Sequence, residues 1–173
     1  MKKLVTTKLI NSDHSSEKLA TSVLSILEAN ELCGVATVSP SGESHIHTAY
    51  FCYTDSMDLF FISNPATRHS QNLAKNPSAA VAVASSSQPW DQPHRGLQLF
   101  GNCSVAGLTA TAKALAVHAA RFHAYRDYLQ SLNPADLKAL VYKFYVFRPS
   151  RITIFDEPEF GEETFVIAEV VRD

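Results

Sequence analysis

The sequence predicts a mainly β domain, a small β-barrel or sandwich with single helices attached, and three observations carry that expectation. Short apolar runs recur with turn residues between them, single helical stretches interrupt the runs, and no regular alternation of strand and helix marks βαβ units. The 173 residues have the length of one domain, and 46% hydrophobic content is enough for a core and excludes wholesale disorder. We divide the chain into an N-terminal arm, 1–15, and a single domain, 16–173.

The arm has few apolar residues and no period, so it is expected to be mobile or loosely docked. Over 17–29, Leu19, Val23, Ile26 and Leu27 fall at helical spacing behind a Ser/Asp-rich entry that can cap the free amides. The period then changes. Residues 33–39 read as a small-residue, β-branched strand, Pro40-Ser41-Gly42 as a turn, and 44–53 as the returning strand of a hairpin. A short apolar strand follows over 59–63, and Asn64-Pro65 leads into a helix over 67–75 that Asn76-Pro77 stops. Residues 79–84 make the next strand, 85–94 a polar loop with two prolines, and 97–105 a further strand. Thr109 is positioned to cap a long Ala-rich helix to about Leu132, with a break near His123, and Asn133-Pro134 opens a short helix. Strand character returns over 141–147 and 151–155, and after the Glu159-Phe160-Gly161 turn a last strand spans 164–171.

Composition narrows the function classes. The formal net charge is −2, so no basic excess is present to drive binding to nucleic acid or to anionic lipid. No apolar run approaches the roughly 18 residues of a membrane span, and no signal-peptide pattern is found at the start. Cys33, Cys52 and Cys103 are odd in number and far apart, which argues against a disulfide framework or a zinc site and fits a cytoplasmic setting. Charged residues amount to 18%, below the usual value of about 25%, which suggests that a subunit interface or cofactor covers part of the surface.

The richest stretch chemically is 62–70, where a strand ends and a helix begins. Ser63 and Thr67 offer hydroxyls, Arg68 a cation and His69 an imidazole, next to helix amides that favour an anion. A phosphate pocket is one reading; a simple N-cap with a solvated arginine is the other. His45 and His47, two apart on a strand, point to one face as metal ligands can. No third ligand lies near in sequence, so we read the pair as polar strand residues facing solvent or a ligand and assign no metal. His118 reads as part of a packing helix. Gly96 and Gly101 mark a bend or bulge in their strand, with Gln98 between them able to present its amide. Trp90 sits in the preceding loop, and Cys52 has no activating neighbour.

Taken together, residues 17–107 resemble the FMN-binding split-barrel family typified by pyridoxamine 5'-phosphate oxidase. The likeness rests on the pairing of Gly34-Val35-Ala36-Thr37-Val38 with His47-Thr48-Ala49-Tyr50-Phe51, on the segment 59–68, on Asn72-Leu73-Ala74-Lys75-Asn76-Pro77, and on 96–101. It implies a split β-barrel with peripheral helices and FMN bound between the subunits of a homodimer. Ser63 and Arg68 match the family's phosphate-binding positions, and His69 stands where lysine is usual. The second hairpin strand, which implicates His47, Ala49, Tyr50 and Phe51, would lie along the flavin ring, with Arg95 or Gln98 near the ring or phosphate. The C-terminal Trp and Arg-x-His elements that hold pyridoxal in the oxidase are not found. The expectation is therefore a cytoplasmic FMN-dependent oxidoreductase acting on an unidentified small molecule, with a deazaflavin as a variant of the same class. A haem-binding or haem-degrading split barrel, using His45, His47 or a helix histidine, and a flavin-free interaction protein are the rivals.

Overall fold

The computed structural model describes residues 7–133 and 141–172. Among these it contains eight strands and five helices: β1 (Thr7–Leu9), α1 (Ser16–Ala29), β2 (Leu32–Val38), β3 (Ser44–Tyr53), β4 (Leu59–Ser63), α2 (Arg68–Lys75), β5 (Ser78–Ala84), β6 (Arg95–Val105), α3 (Leu108–Arg121), α4 (His123–Ser131), β7 (Lys143–Asp156), α5 (Glu157–Phe160) and β8 (Phe165–Val170). The short helix expected after Asn133-Pro134 falls outside the described residues.

Alternation of apolar and polar residues sets the sheet. Every neighbouring pair is antiparallel, in the order β1-β8-β7-β4-β3-β2-β5-β6, and β6 returns to pair with β7. Six strands thus close a barrel, while β8 and β1 continue from β7 as an extension. The barrel interior takes Val35, Phe51, Phe61, Val81, Val83, Leu97, Leu99, Phe147 and Ile152, all essentially inaccessible to solvent. Helix α1 plugs this core with Leu19, Val23, Ile26 and Leu27, and its N-cap Ser15 accepts from the Lys18 amide at 3.1 Å. A second apolar cluster lies where α3 covers Cys52, Phe60, Phe144 and Val146.

Several expectations shift at the element ends. The 1–15 segment was expected to be loose, yet Thr7–Leu9 adds a strand to the edge of β8, pairing Thr7 with Val170 and Leu9 with Ala168. An edge strand needs only a partner with open backbone groups, so three residues without hydrophobic period suffice. Thr67 is the N-cap of α2 and Gly107, not Thr109, that of α3; the Ala-rich helix ends at Arg121, and Phe122 separates it from α4. The two C-terminal runs are one strand, β7, which passes through Pro149 with a bulge. Phe100 pairs with Arg151 and Gly101 with Pro149, leaving Ser150 extra. Gly101 is required there, because a Cβ at that position would meet the Arg148 carbonyl oxygen at 2.1 Å. Among the described residues no helix is long and apolar enough to cross a membrane.

Candidate functional site

Strands β3 and β4 pair only at their turn end, Phe51 with Phe61 through Tyr53 with Leu59. Beyond that they diverge, and β3 continues with β2 on one side alone. The Phe51 amide donates to the Glu31 carbonyl at 3.1 Å, which fixes the alternation. Ala49, His47 and His45 direct their backbone groups to β2, and Ile46, Thr48 and Tyr50 direct theirs to the open edge. A cavity of about 630 Å³ occupies this split. Its floor and walls include His47, Thr48, Ala49 and Tyr50 of β3, Ile62 and Ser63 of β4, and His69 of α2, and it is roofed by His118, Phe122, Tyr125, Tyr128 and Tyr142.

Three imidazoles meet at the floor. His45 and His47 share a face of β3, and α2 begins where β4 ends, which brings His69 against them. The His47 and His69 rings stack at 3.5 Å and 10°, and the His45 ring is 6.1 Å from His69 and 6.4 Å from His47. Ring Nε2 of His69 lies 2.6 Å from the Ser63 hydroxyl and 3.0 Å from that of Thr67. Both ring nitrogens of His47 are buried and neither makes a hydrogen bond of normal geometry, although the Val35 backbone is near enough to favour the protonated ring slightly. Burial, then the neighbouring His69 and His45, pushes the His47 pKa down to about 4. Burial and then His45 lower that of His69 as well. The lowered values of His47 and His69 favour the uncharged, lone-pair-bearing form of both rings.

At the roof, His118 is 5% exposed, packs edge-on against Tyr125 and Phe144, and leaves Nδ1 unpartnered. Burial lowers its pKa to about 4. The three thiols are buried, and burial pushes each to about 12, so none is an activated nucleophile.

The structure gathers His47, Ala49, Tyr50, Ser63 and His69 around one cavity, with Thr67 joined through its bond to His69. Arg68 is on the surface, ion-paired with Glu43. The side chain of Phe51 is part of the barrel core and does not reach the cavity. Arg95 grips Asp156 with two bonds of 2.9 Å, and Gln98 lies in a separate groove with Ala82, Gln88 and Thr153. Within one chain, Arg95 and Gln98 therefore do not join the site. Sequence reading set His118 aside and missed the roof, although His118, Phe122 and Tyr125 follow one another at helical spacing. It found no third ligand near His45 and His47 in sequence; His69 is distant in sequence and adjacent to them in the fold.

Comparison with known proteins agrees with this architecture. No curated protein matches the chain. Among solved structures it is similar to protein Atu2129 from Agrobacterium tumefaciens, of unknown function, with 22% identity over 79% of this chain and 55% of that one and a TM-score of 0.63. It is also similar to a haem-binding protein from Mycobacterium smegmatis, with 16% identity, 91% and 59% coverage and a TM-score of 0.68. A third is HutZ, the haem storage protein of Vibrio cholerae, with 17% identity, 75% and 88% coverage and a TM-score of 0.60. The chain thus spans little more than half the length of the first two, and at these identities the likeness is one of fold. The family model described as pyridoxamine 5'-phosphate oxidase matches residues 19–147, which contain the barrel strands β2 to β6, the three floor histidines and the roof, and the chain belongs to that family.

Proposed function

We propose that the chain binds FMN in the split between β3 and β4 and serves as a flavin-dependent oxidoreductase on a small molecule. The observation that carries this reading is the cavity itself: an open strand edge on one side, aromatic side chains on the other, and hydroxyls at one end. FMN supplies the electron or hydride transfer when bound. The backbone groups of Thr48 and Tyr50 on the open edge suit the polar rim of a ring, and Phe122, Tyr125 and Tyr128 give it apolar cover.

The residues present suit the phosphate too. Thr67 makes no side-chain cap to α2, so the amides of the first turn remain for another acceptor beside Ser63 and Thr67. Burial works against a charge on His69. Arg68 supplies the cation, since its exposed pair with Glu43 is worth only about 0–1 kcal/mol and is readily exchanged. Arg95 and Gln98 would approach a flavin only from a second copy. A homodimer is part of this proposal: the outer face of the β2–β3 hairpin exposes Leu32, Ile46 and Tyr50 at 48%, 69% and 59%, beside the mouth of the cavity. The unpaired buried thiols support a reducing, cytoplasmic setting.

The test is a titration with FMN and with riboflavin, which lacks the phosphate. FMN should bind more tightly than riboflavin, and Arg68→Ala and Ser63→Ala should each remove most of that difference. A protein that is colourless as purified and ignores added FMN would sink the reading. One observation favours haem as the second reading: His118, on the cavity wall among aromatic rings, has an unpartnered ring nitrogen and is uncharged at neutral pH. Haem binding would give a Soret band that His118→Ala abolishes.

A further inference from the structure

We propose that His45, His47 and His69 form a binding site for a divalent first-row transition metal, with an open coordination position facing the cavity. One ring nitrogen from each residue lies within 4.8 Å of the others. A tetrahedral zinc ion with Zn–N distances of about 2.0–2.1 Å sets its ligand nitrogens about 3.4 Å apart. The required closure is therefore at most about 1.5 Å, and because the His47 and His69 planes are nearly parallel, their side-chain torsions must also swing the stacked rings apart so that the in-plane lone pairs converge on the ion.

Two independent features single out this cluster from a chance meeting of histidines. First, both nitrogens of His47 are buried and unpaired, although buried polar atoms are nearly always hydrogen-bonded. The ring stacks on His69 and meets Phe61 edge-on at 5.5 Å, which keeps both nitrogens away from water. A metal ion takes the lone pair that nothing in the protein uses. Second, the His69 ring is oriented by hydroxyls of Ser63 and Thr67 on one nitrogen, the arrangement by which metal-bound imidazoles have their tautomer and angle fixed. Thr67 is itself tied to the Asn64 carbonyl and to Ser70, so the support is rigid.

The donor set defines the ligand class. Three imidazoles without thiolate or carboxylate suit Zn²⁺, Co²⁺, Ni²⁺ or Fe²⁺ rather than Ca²⁺ or Mg²⁺. Three protein ligands are also the number found where a metal keeps a place for water or substrate, whereas closed structural sites use four. His47 and His69 both line the cavity, so that place opens into it. An anionic or carbonyl oxygen of a cavity ligand would fit there. The proposal does not rest on FMN binding.

The experiment uses the untagged full chain, stripped with chelator and free of flavin, titrated with Zn²⁺ and with Co²⁺. About one ion per chain is expected, and Co²⁺ should give the intense visible bands of a tetrahedral site. His45→Gln and His69→Gln should each weaken Zn²⁺ binding by at least about 100-fold, and Ser63→Ala by about 10-fold. His94→Ala, in a groove separate from this cavity, should leave it unchanged. Failure of the wild-type protein to bind either ion, or equal binding by His45→Gln and His94→Ala, would overturn the site. The spectrum of wild-type protein with Co²⁺ decides the matter even if a variant fails to fold. Flavin binding is read separately, so the two proposals can fail independently.

Discussion

Two of the polar clusters packed against this barrel differ in how they are satisfied. At one end Asp156, with no solvent exposure, receives two bonds of 2.9 Å from Arg95 and a third from the Ser22 hydroxyl. Arg95 also reaches Ser25, so the strand end, the barrel and α1 are tied together by groups that complete one another. At the split, His47 has no partner for either nitrogen, and His118 across the cavity leaves one unused. A closed network spends its polarity on holding the fold. An open one at a cavity keeps donors and acceptors for something else. Burial alone does not distinguish the two; the accounting of hydrogen bonds does.

Breaking the closed cluster should have the largest effect. Arg95→Ala leaves a buried carboxylate unpaired, and we expect a loss of about 3 kcal/mol in urea unfolding, with Zn²⁺ affinity intact. The next effect is one of pH. The folded pKa of His118 lies near 4, below its ordinary value of 6.5, so the unfolded chain binds a proton there first as pH falls. Its contribution is fully present above about pH 6.5 and is lost as pH falls through about 4. Allowing for partial solvation, thermal unfolding at these two pH values should differ by about 2 kcal/mol on its account. His118→Phe should remove that portion. A smaller effect of opposite sign is expected for His47→Phe. It replaces two unsatisfied buried nitrogens with a ring that can keep the stacking, so stability should stay level or rise by about 1 kcal/mol while metal binding disappears. Glu43→Ala, which removes only an exposed ion pair, should change stability by less than about 1 kcal/mol. It should raise FMN affinity slightly by releasing Arg68. If Arg95→Ala were harmless and His47→Phe damaging, the assignment of structural and ligand roles would be reversed.

Much of the barrel was legible because its signals are local. The hairpin of β2 and β3 follows from alternation around Pro40-Ser41-Gly42, and Gly42 takes φ +85° in that turn. The bend suggested by Gly101 is the bulge opposite Pro149, although the continuity of β7 through that proline was not readable from the proline itself. The site was legible only in part. Ser63, Thr67 and His69 belong to one strand–helix junction, so seven positions bring them together. The meeting of His69 with His45 and His47 depends on α2 folding back over β3, and the bond of Arg95 to Asp156 spans 61 positions. Alternation told which face His45 and His47 share, but no local pattern told what stands opposite. Phe51 shows the same limit: its place beside His47 and Ala49 in the strand resemblance is real, yet it lies beyond the point where β3 joins β4 and so enters the core.

The roof over the cavity has a further consequence. Helices α3 and α4 lie in the connection between β6 and β7, and those strands pair with each other from Val105 with Tyr145 onward. The roof is thus an insertion into a hairpin whose ladder closes without it. Sequence change within the insertion can alter the shape and chemistry of the cavity while leaving every barrel register in place, so one scaffold can exchange ligands through evolution by revising a single excursion of the chain.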